Sequence, residues 1–182
     1  IEELKEHLFK SFNKIRVFTR QPGSTHDDIP VVIEPNSTLK DVAEKVSKYE
    51  RINQVITIDH IGLENILAEN IAPQLSQICK KYTHVLIAAD SFGKNLLPRI
   101  AGILEIGQIS EVIGIKTPSI FKKFIYAGNV LVELESLEQI KLLSIRANNF
   151  PIDDEVVGAA APINSIEYSS QISDKIKFIS KN

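Results

Sequence analysis

The residues whose types and spacing could support chemistry are concentrated in one short turn, Asp90–Asn95. The turn follows a compact apolar run, Val85–Ala89, and a pattern typical of a helix begins directly after it. Backbone N–H groups in the first turn of a helix have no partner within the helix, and they attract anions. Ser91, Gly93 and Lys94 are therefore candidate residues for an anion-binding site.

A second interpretation of the same turn is purely structural. In it, Asp90 or Ser91 caps the helix, Gly93 permits the turn and Lys94 is solvated. The turn has a single glycine, whereas phosphate-binding loops such as the P-loop and the GxGxxG element use several. We favour the structural interpretation, because capping residues of this kind occur on most helices.

The histidines and the cysteine are weaker candidates for a catalytic or metal site. His60 closes one predicted strand and His84 opens the next, but no carboxylate or thiolate stands at ligand spacing from them. The segment His26–Asp28 matches no metal-ligand spacing and is expected to be a solvated acidic turn. Cys79 is the single cysteine, which excludes an internal disulfide, and we expect a buried, inert thiol. We therefore predict no catalytic and no metal-binding residues.

The composition is that of an ordinary globular protein with little net charge. Of the 182 residues, 43% are hydrophobic and 24% are charged, and the formal net charge at pH 7 is −2. This charge gives no support to nucleic-acid binding through the overall field, and we expect no membrane insertion, because no apolar run approaches roughly 18 residues. Basic and acidic residues alternate in the second half, which favours a mixed, solvated surface. They are Arg99, Lys116, Lys122, Lys123 and Arg146, with Glu111, Glu133 and Glu135.

The order of the predicted elements indicates an α/β fold. Strands and helices alternate between residues 54 and 116, which is typical of a doubly wound parallel sheet. Three later strands joined by short turns predict an antiparallel C-terminal portion, and residues 151–182 lose their periodicity, which predicts an extended tail or linker. The predicted strands are 15–20, 30–33, 54–58, 85–89, 112–116, 124–126, 129–134 and 140–146, and the predicted helices are 1–14, 39–49, 64–81 with a break near Pro73, and 92–104.

From about Asp41 to Phe150 the chain resembles the N-terminal domain of the electron transfer flavoprotein alpha subunit. Several separate motifs agree with that family in order and spacing. They are LAENIAP at 67–73, YTHVL at 82–86, FGKNLLPRIA at 92–101, QISEVI at 108–113, IYAGN at 125–129 and SIRA at 144–147.

This resemblance implies an adenine-nucleotide-hydrolase-like domain, with a mostly parallel sheet and flanking helices, that packs against a beta-type subunit. In that family a separate C-terminal domain holds flavin adenine dinucleotide (FAD), and the beta subunit holds the adenosine phosphate. The glycine- and arginine-rich flavin segment has no counterpart in this sequence, so we expect these residues to bind no cofactor. The Asp90–Asn95 turn would then be a remnant of nucleotide-binding ancestry, and residues 151–182 would begin the linker to the flavin domain. The implied location is the bacterial cytoplasm or the mitochondrial matrix.

Residues 1–48 depart from that family and resemble instead the TGS domain of developmentally regulated GTP-binding proteins. The matching segments are IEELKE at 1–6, IRVFTRQPG at 15–23, IPVVI at 29–33 and STLKDVAEK at 37–45. The TGS domain is a small β-grasp module implicated in contacts with the ribosome or RNA. About two thirds of it is represented, so we expect a partial β-grasp-like segment.

These observations predict a TGS-like segment over 1–48, a flavoprotein-alpha-type α/β domain over 49–150 and a tail or linker over 151–182. The predicted function is a non-catalytic scaffold that packs against a beta-type subunit and supports a flavin domain. One alternative is an interaction module that contacts the ribosome, RNA or a protein partner through residues 1–48. Another is a small adenine-nucleotide-binding domain that uses the turn at Gly93 and Lys94.

Overall fold

The computed structural model describes residues 15–17, 31–33, 38–49, 52–63, 65, 67–150 and 158–179. The predicted helix 1–14 and the segment His26–Asp28 lie outside the described residues, as do parts of the predicted strands 15–20 and 30–33. In the part of the chain that is described, no helix combines the length and the apolar character needed to cross a bilayer.

Nine strands and three α-helices make up the described secondary structure. The strands are β1 (Ile15–Val17), β2 (Val31–Ile33), β3 (Val55–Asp59), β4 (His84–Ala88), β5 (Gln108–Ile115), β6 (Ile120–Ile125), β7 (Val130–Glu135), β8 (Lys141–Ile145) and β9 (Ile163–Glu167). The helices are α1 (Leu39–Ser47), α2 (Ala68–Cys79) and α3 (Ser91–Leu104), and short 3-10 turns cover Ile61–Leu63 and Ala147–Asn149. The chain divides into two compact units, residues 1–58 with 152–166 and residues 59–151 with 167–182.

The described residues of the first unit form two small sheets and one helix. Strand β1 pairs antiparallel with β2, and β3 pairs with β9. Helix α1 starts with a capping box, in which the Thr38 hydroxyl accepts the Asp41 N–H at 3.3 Å and the Asp41 carboxylate accepts the Thr38 N–H at 2.6 Å. Strand β9 lies in the segment for which we predicted an extended tail, so part of that segment is paired in a sheet.

The second unit is built on a five-stranded sheet in the order β4-β8-β5-β6-β7. Strands β4, β8 and β5 are parallel, and β6 runs antiparallel between β5 and β7, so four of the five strands point the same way. Helix α3 packs on β4, β5 and β8, and α2 packs on α3. The predicted α/β class, with a mostly parallel sheet and flanking helices, is confirmed, and of the predicted antiparallel C-terminal portion the hairpin β6–β7 is antiparallel.

The core of the second unit lies at the centre of this sheet. Val112, Phe121 and Leu143 are essentially fully buried there, and three partly buried side chains pack against them. Those three are Ile109, Ile145 and Phe150. A further apolar set covers the inner side of α3, namely Leu96, Leu97, Ile100 and Ala101. The core therefore joins the parallel strands to the base of the antiparallel hairpin β6–β7.

The helix predicted over 64–81 starts later than expected and is not broken at Pro73. Helix α2 runs continuously from Ala68 to Cys79, with Pro73 as its sixth residue. The missing N–H of a proline at this position removes one backbone bond, to the carbonyl of Glu69. The helix continues because its buried residues, among them Ile71 and Ala72, pack against the rest of the unit.

Strand β8 differs from the expected antiparallel tail. The sequence predicts that it follows the hairpin as one more strand after a short turn, but it crosses back and lies between β4 and β5, parallel to both.

Strand β5 starts four residues earlier than predicted, at Gln108, and its pairing with β8 is interrupted between Ile109 and Val112. A bulge at this point places Glu111 in the left-handed backbone region, with φ 57°.

Candidate functional site

The turn between β4 and α3 is stabilised by hydrogen bonds between its own residues. Asp90 is the N-cap of α3, and its Oδ1 accepts the N–H of Gly93 at 2.7 Å. The backbone carbonyl of Asp90 accepts the N–H of Lys94 at 3.0 Å. Ser91 is the first residue of the helix and is exposed. The capping role falls to Asp90, one of the two residues that the structural interpretation of the turn allowed.

Gly93 is required by close packing rather than by the conformation of the turn. It is buried, and a Cβ atom added to it would lie 2.0 Å from the carbonyl oxygen of Ala88. Real Cβ atoms do not approach a backbone oxygen so closely, so only glycine lets the first turn of α3 sit against the end of β4. The glycine therefore shapes the junction between strand and helix.

Lys94 is exposed, as the structural interpretation expects, and it is also paired with a carboxylate. Its Nζ lies 2.5 Å from Oε1 of Glu111, and Nη2 of Arg146 donates to Oε2 of the same carboxylate at 3.0 Å. The backbone N–H of Glu111 donates to the Ser144 hydroxyl at 2.8 Å. We call these four residues, Glu111, Lys94, Arg146 and Ser144, the Glu111 cluster. It joins α3 to β5 and β8 near the carboxyl end of β8.

The electrostatics of the Glu111 cluster favour the ionised carboxylate. The hydrogen bond from Lys94, and after it the hydrogen bond from Arg146 and the two positive charges, hold the pKa of Glu111 below its ordinary value of 4.5. Desolvation acts in the opposite direction but is outweighed. Glu111 thus supplies, from within the chain, the negative charge that Lys94 would otherwise seek in a ligand.

Replacing Glu111 with glutamine should lower the free energy of unfolding by about 1 kcal/mol near neutral pH. A carboxylate whose pKa is lower in the folded than in the unfolded state stabilises the fold fully above the unfolded value, here 4.5. That contribution is lost as the pH falls below 4.5 through the lower folded pKa. Urea unfolding of both proteins as a function of pH should therefore show the difference shrinking in acid.

The control for this prediction is Glu135→Gln, at an exposed carboxylate that ends β7. It should leave stability unchanged at both ends of the pH range. A difference between wild type and Glu111→Gln that stays constant down to strongly acidic pH would contradict the assigned role of the ionised carboxylate.

Most of the other charged residues singled out in the sequence take part in ion pairs or hydrogen bonds on a surface of mixed charge. Lys116 and Lys122 both approach Glu133, with Nζ–Oε distances of 2.9 and 3.5 Å, and Arg99 pairs with Glu69. Lys123 donates to the Ser110 hydroxyl at 2.9 Å. In the described residues these basic side chains are therefore matched by acceptors.

The two histidines have separate partners in the structure. Nδ1 of His60 accepts the N–H of Gly62 at 3.0 Å, while Nε2 of His84 lies 2.7 Å from the carbonyl oxygen of Pro118. Cys79 is buried, as predicted, and desolvation raises the pKa of its thiol. Among the residues that the structure describes, no cluster of three or more His, Cys, Asp or Glu side chains could hold a metal ion.

The sequence pattern does not reveal that Lys94 belongs to the Glu111 cluster. It places Glu111 and Arg146 on a general mixed surface, and it contains Ser144 only within the SIRA motif. Their association depends on the bulge in β5 and on the insertion of β8 beside it. No local pattern in the sequence carries that information.

Comparison with known proteins places these features in a family. The family model described as electron transfer flavoprotein domain matches residues 29–170. The electron transfer flavoprotein subunit alpha of Pseudomonas aeruginosa is 38% identical over 120 residues, 66% of this chain and 39% of that protein. The mitochondrial alpha subunit of Dictyostelium discoideum is 31% identical over 151 residues, 79% of this chain and 42% of that protein. A probable mitochondrial alpha subunit of Saccharomyces cerevisiae is 32% identical over 127 residues, 68% of this chain and 37% of that protein.

These matches agree with the flavoprotein resemblance and with the predicted bacterial or mitochondrial location, since the relatives are a bacterial protein and mitochondrial proteins. The chain spans about two fifths of the length of these relatives. The family match begins at residue 29, inside the segment for which we saw a TGS resemblance, and that resemblance is not confirmed. The chain belongs to the electron transfer flavoprotein domain family, as an alpha-type member.

Proposed function

We propose that this chain provides the structural domain of an electron transfer flavoprotein alpha subunit, which packs against a beta-type subunit and supports a separate flavin domain. In this proposal the described residues catalyse no reaction and bind no flavin themselves. The boundaries predicted from the sequence, a flavoprotein-type domain over 49–150 followed by a linker, belong to the same proposal.

The observation that carries the proposal is an apolar surface on the hairpin β6–β7. Tyr126 is 76% exposed, Leu131 51%, Val130 41% and Phe124 38%. Phe124 and Leu131 are direct cross-strand partners on one face of the hairpin, whereas Val130 pairs with Ile125 on the opposite face, which is the face of Phe121. We call Phe124 and Leu131, with Tyr126 in the adjoining turn, the hairpin surface. Adjacent exposed apolar side chains of this kind support a protein contact at this face.

The position of the hairpin in the sheet supports the same conclusion. Among the described strands, β7 pairs with β6 alone and forms one edge of the five-stranded sheet. The outer backbone groups of an edge strand are available to a partner. A beta-type subunit that covered the hairpin surface would shield both this edge and the exposed aromatic side chains.

The turn before α3 supports the assignment of the flavin to a separate domain. A flavin pyrophosphate is an anion that requires free donors, but the Gly93 N–H already donates to Asp90 and Lys94 already pairs with Glu111. Two of the donors at this turn are therefore already engaged within the chain. The same geometry argues against the alternative of an adenine-nucleotide-binding domain at Gly93 and Lys94, and no observation favours the alternative of ribosome or RNA contact.

Size-exclusion chromatography with the beta-type subunit from the same source tests the proposal. The wild-type chain should co-elute with that subunit, and the chain alone should lack the visible absorption of a flavin. Leu131→Glu places a charge on the hairpin surface and should weaken the complex by about tenfold or more. The measurement is the dissociation constant obtained by calorimetry.

The matched control is Ile103→Glu, because Ile103 is 46% exposed on α3 and lies outside the hairpin surface. It should leave the affinity unchanged. Failure of the wild-type chain to bind the subunit, or stoichiometric flavin in the purified chain, would overturn the proposed function. Equal affinity of Leu131→Glu and Ile103→Glu for the beta-type subunit would instead show that the hairpin surface is not part of the interface.

A further inference from the structure

Helix α2 carries two buried side-chain amides on one face. Asn70 is 3% exposed and Gln74 is 7% exposed, and their spacing of four residues places them one turn apart. A buried amide without hydrogen-bond partners destabilises a fold, so the identity of the partners matters. Within the described part of the chain, the hydrogen bonds of these side chains are made with a single segment far along the chain.

That segment is residues 167–173, which we call the strap. Oε1 of Gln74 accepts the Ser169 N–H at 3.1 Å and the hydroxyls of Ser169 and Ser170 at 3.0 and 3.2 Å, while Nε2 of Gln74 reaches the Glu167 carbonyl at 3.5 Å. Oδ1 of Asn70 accepts the Ser173 N–H at 3.0 Å. Three of these bonds use the backbone of the strap, so α2 recognises it as an extended peptide.

Apolar contacts hold the same segment against the unit. Tyr168 is 7% exposed, its ring lies 5.0 Å from the ring of His60, and its hydroxyl donates to the backbone carbonyl of Asn70 at 2.8 Å. Ile172 packs directly over Gly62, where an added Cβ would lie 2.7 Å from its Cδ1. The strap is therefore fixed along its length by both polar and apolar contacts.

We propose that Asn70 and Gln74 form an intramolecular peptide-docking site, which anchors the strap and fixes the point at which the chain departs from α2. The inference rests on the proposed function in one respect, because that function places a flavin domain after the linker. With the strap docked, the chain is held against α2 as far as Ser173. The segment predicted as a uniform tail or linker is thus divided into an anchored part and a part beyond it.

Hydrogen exchange of the full chain, measured by NMR, tests the docking. The amides of Ser169 and Ser173 should be protected in the wild-type chain. Gln74→Ala should speed exchange in the strap by about tenfold or more while the amides of β8 keep their wild-type rates. Gln77→Ala is the matched control, because Gln77 lies exposed on the same helix and its side chain accepts a hydrogen bond from Lys80; it should change neither rate.

Two milder variants keep the test decisive if Gln74→Ala does not fold. Tyr168→Phe removes one hydroxyl, and the double change Ser169→Ala with Ser170→Ala removes two donors to Gln74; each should speed exchange in the strap alone. Unprotected strap amides in the wild-type chain would overturn the proposal. Equal acceleration in β8 would also overturn it, because the amides would then stabilise the whole unit instead of anchoring the strap.

A distance measurement tests the fixed departure point. Nitroxide labels introduced by Lys80→Cys and by Gln171→Cys, an exposed position within the strap, in a Cys79→Ala background, should give one narrow distance distribution. The distribution should broaden when Gln74→Ala is added. A broad distribution in the presence of Gln74 would contradict the anchor. Neither measurement needs the beta-type subunit, so failure of the anchor and failure of the proposed function remain distinguishable.

Discussion

Replacing Gly93 with alanine should lower the free energy of unfolding by about 3 kcal/mol. The new Cβ would lie 2.0 Å from the carbonyl oxygen of Ala88 and 3.2 Å from the Ala88 carbonyl carbon. Both atoms belong to the backbone of β4, so a side-chain rotation cannot relieve the overlap. Either α3 must move away from the sheet or the end of β4 must distort. Urea unfolding followed by circular dichroism measures the loss.

The same helix offers a matched control in Gly102. A Cβ added there meets no atom within 4 Å, and Gly102 is exposed in the last turn of α3. Gly102→Ala should therefore be neutral or stabilise the protein by up to about 1 kcal/mol, through helix propensity alone. Similar effects of the two variants would contradict the packing role of Gly93.

This turn also shows what could be predicted from the sequence. The apolar run before it and the helical spacing after it are local patterns. Strand β4, helix α3 and a cap at Asp90 can therefore be predicted from them. The partner of Lys94 cannot, because Glu111 lies seventeen positions further on and faces the lysine only through the bulge in β5. Local patterns predict elements, whereas ion pairs between elements depend on register and strand order.

The two largest departures from the predicted fold have the same origin. Strand β8 has the composition of a short buried strand, but nothing within residues 140–146 indicates that it inserts between β4 and β5. The strap has the serine-rich composition of a linker, and its docking depends on Asn70 and Gln74, more than ninety positions earlier in the chain. Helix α2 offered only one indirect signal, two amides on a face that is otherwise apolar.

Phe121→Ala should lower the free energy of unfolding by about 3–4 kcal/mol and should also abolish tight binding of the beta-type subunit. Phe121 is 0% exposed, packs with Val112 and Leu143, and lies edge-on to the ring of His84 with 6.5 Å between ring centroids. Removing the ring leaves a cavity at the base of the hairpin β6–β7. Because the same strand continues into the hairpin surface, the loss of packing at its base removes support from the partner-binding side chains.

Phe124→Ala separates support of the hairpin from contact with the partner. Phe124 lies three residues further along β6, on the opposite face of the sheet from Phe121, and is 38% exposed beside Leu131. Its replacement should lower stability by only about 1 kcal/mol, because much of the ring is already in water, yet it should weaken subunit binding by about tenfold. Urea unfolding and calorimetric titration of both variants provide the comparison.

Equal losses of stability in the two variants would place Phe124 in the core and not in the interface. A loss of binding confined to Phe121→Ala would mean that the hairpin makes no contact of its own with the partner. The expected pattern, in which one variant loses both properties and the other loses binding alone, requires that the hairpin be both anchored at Phe121 and in contact with the partner at Phe124.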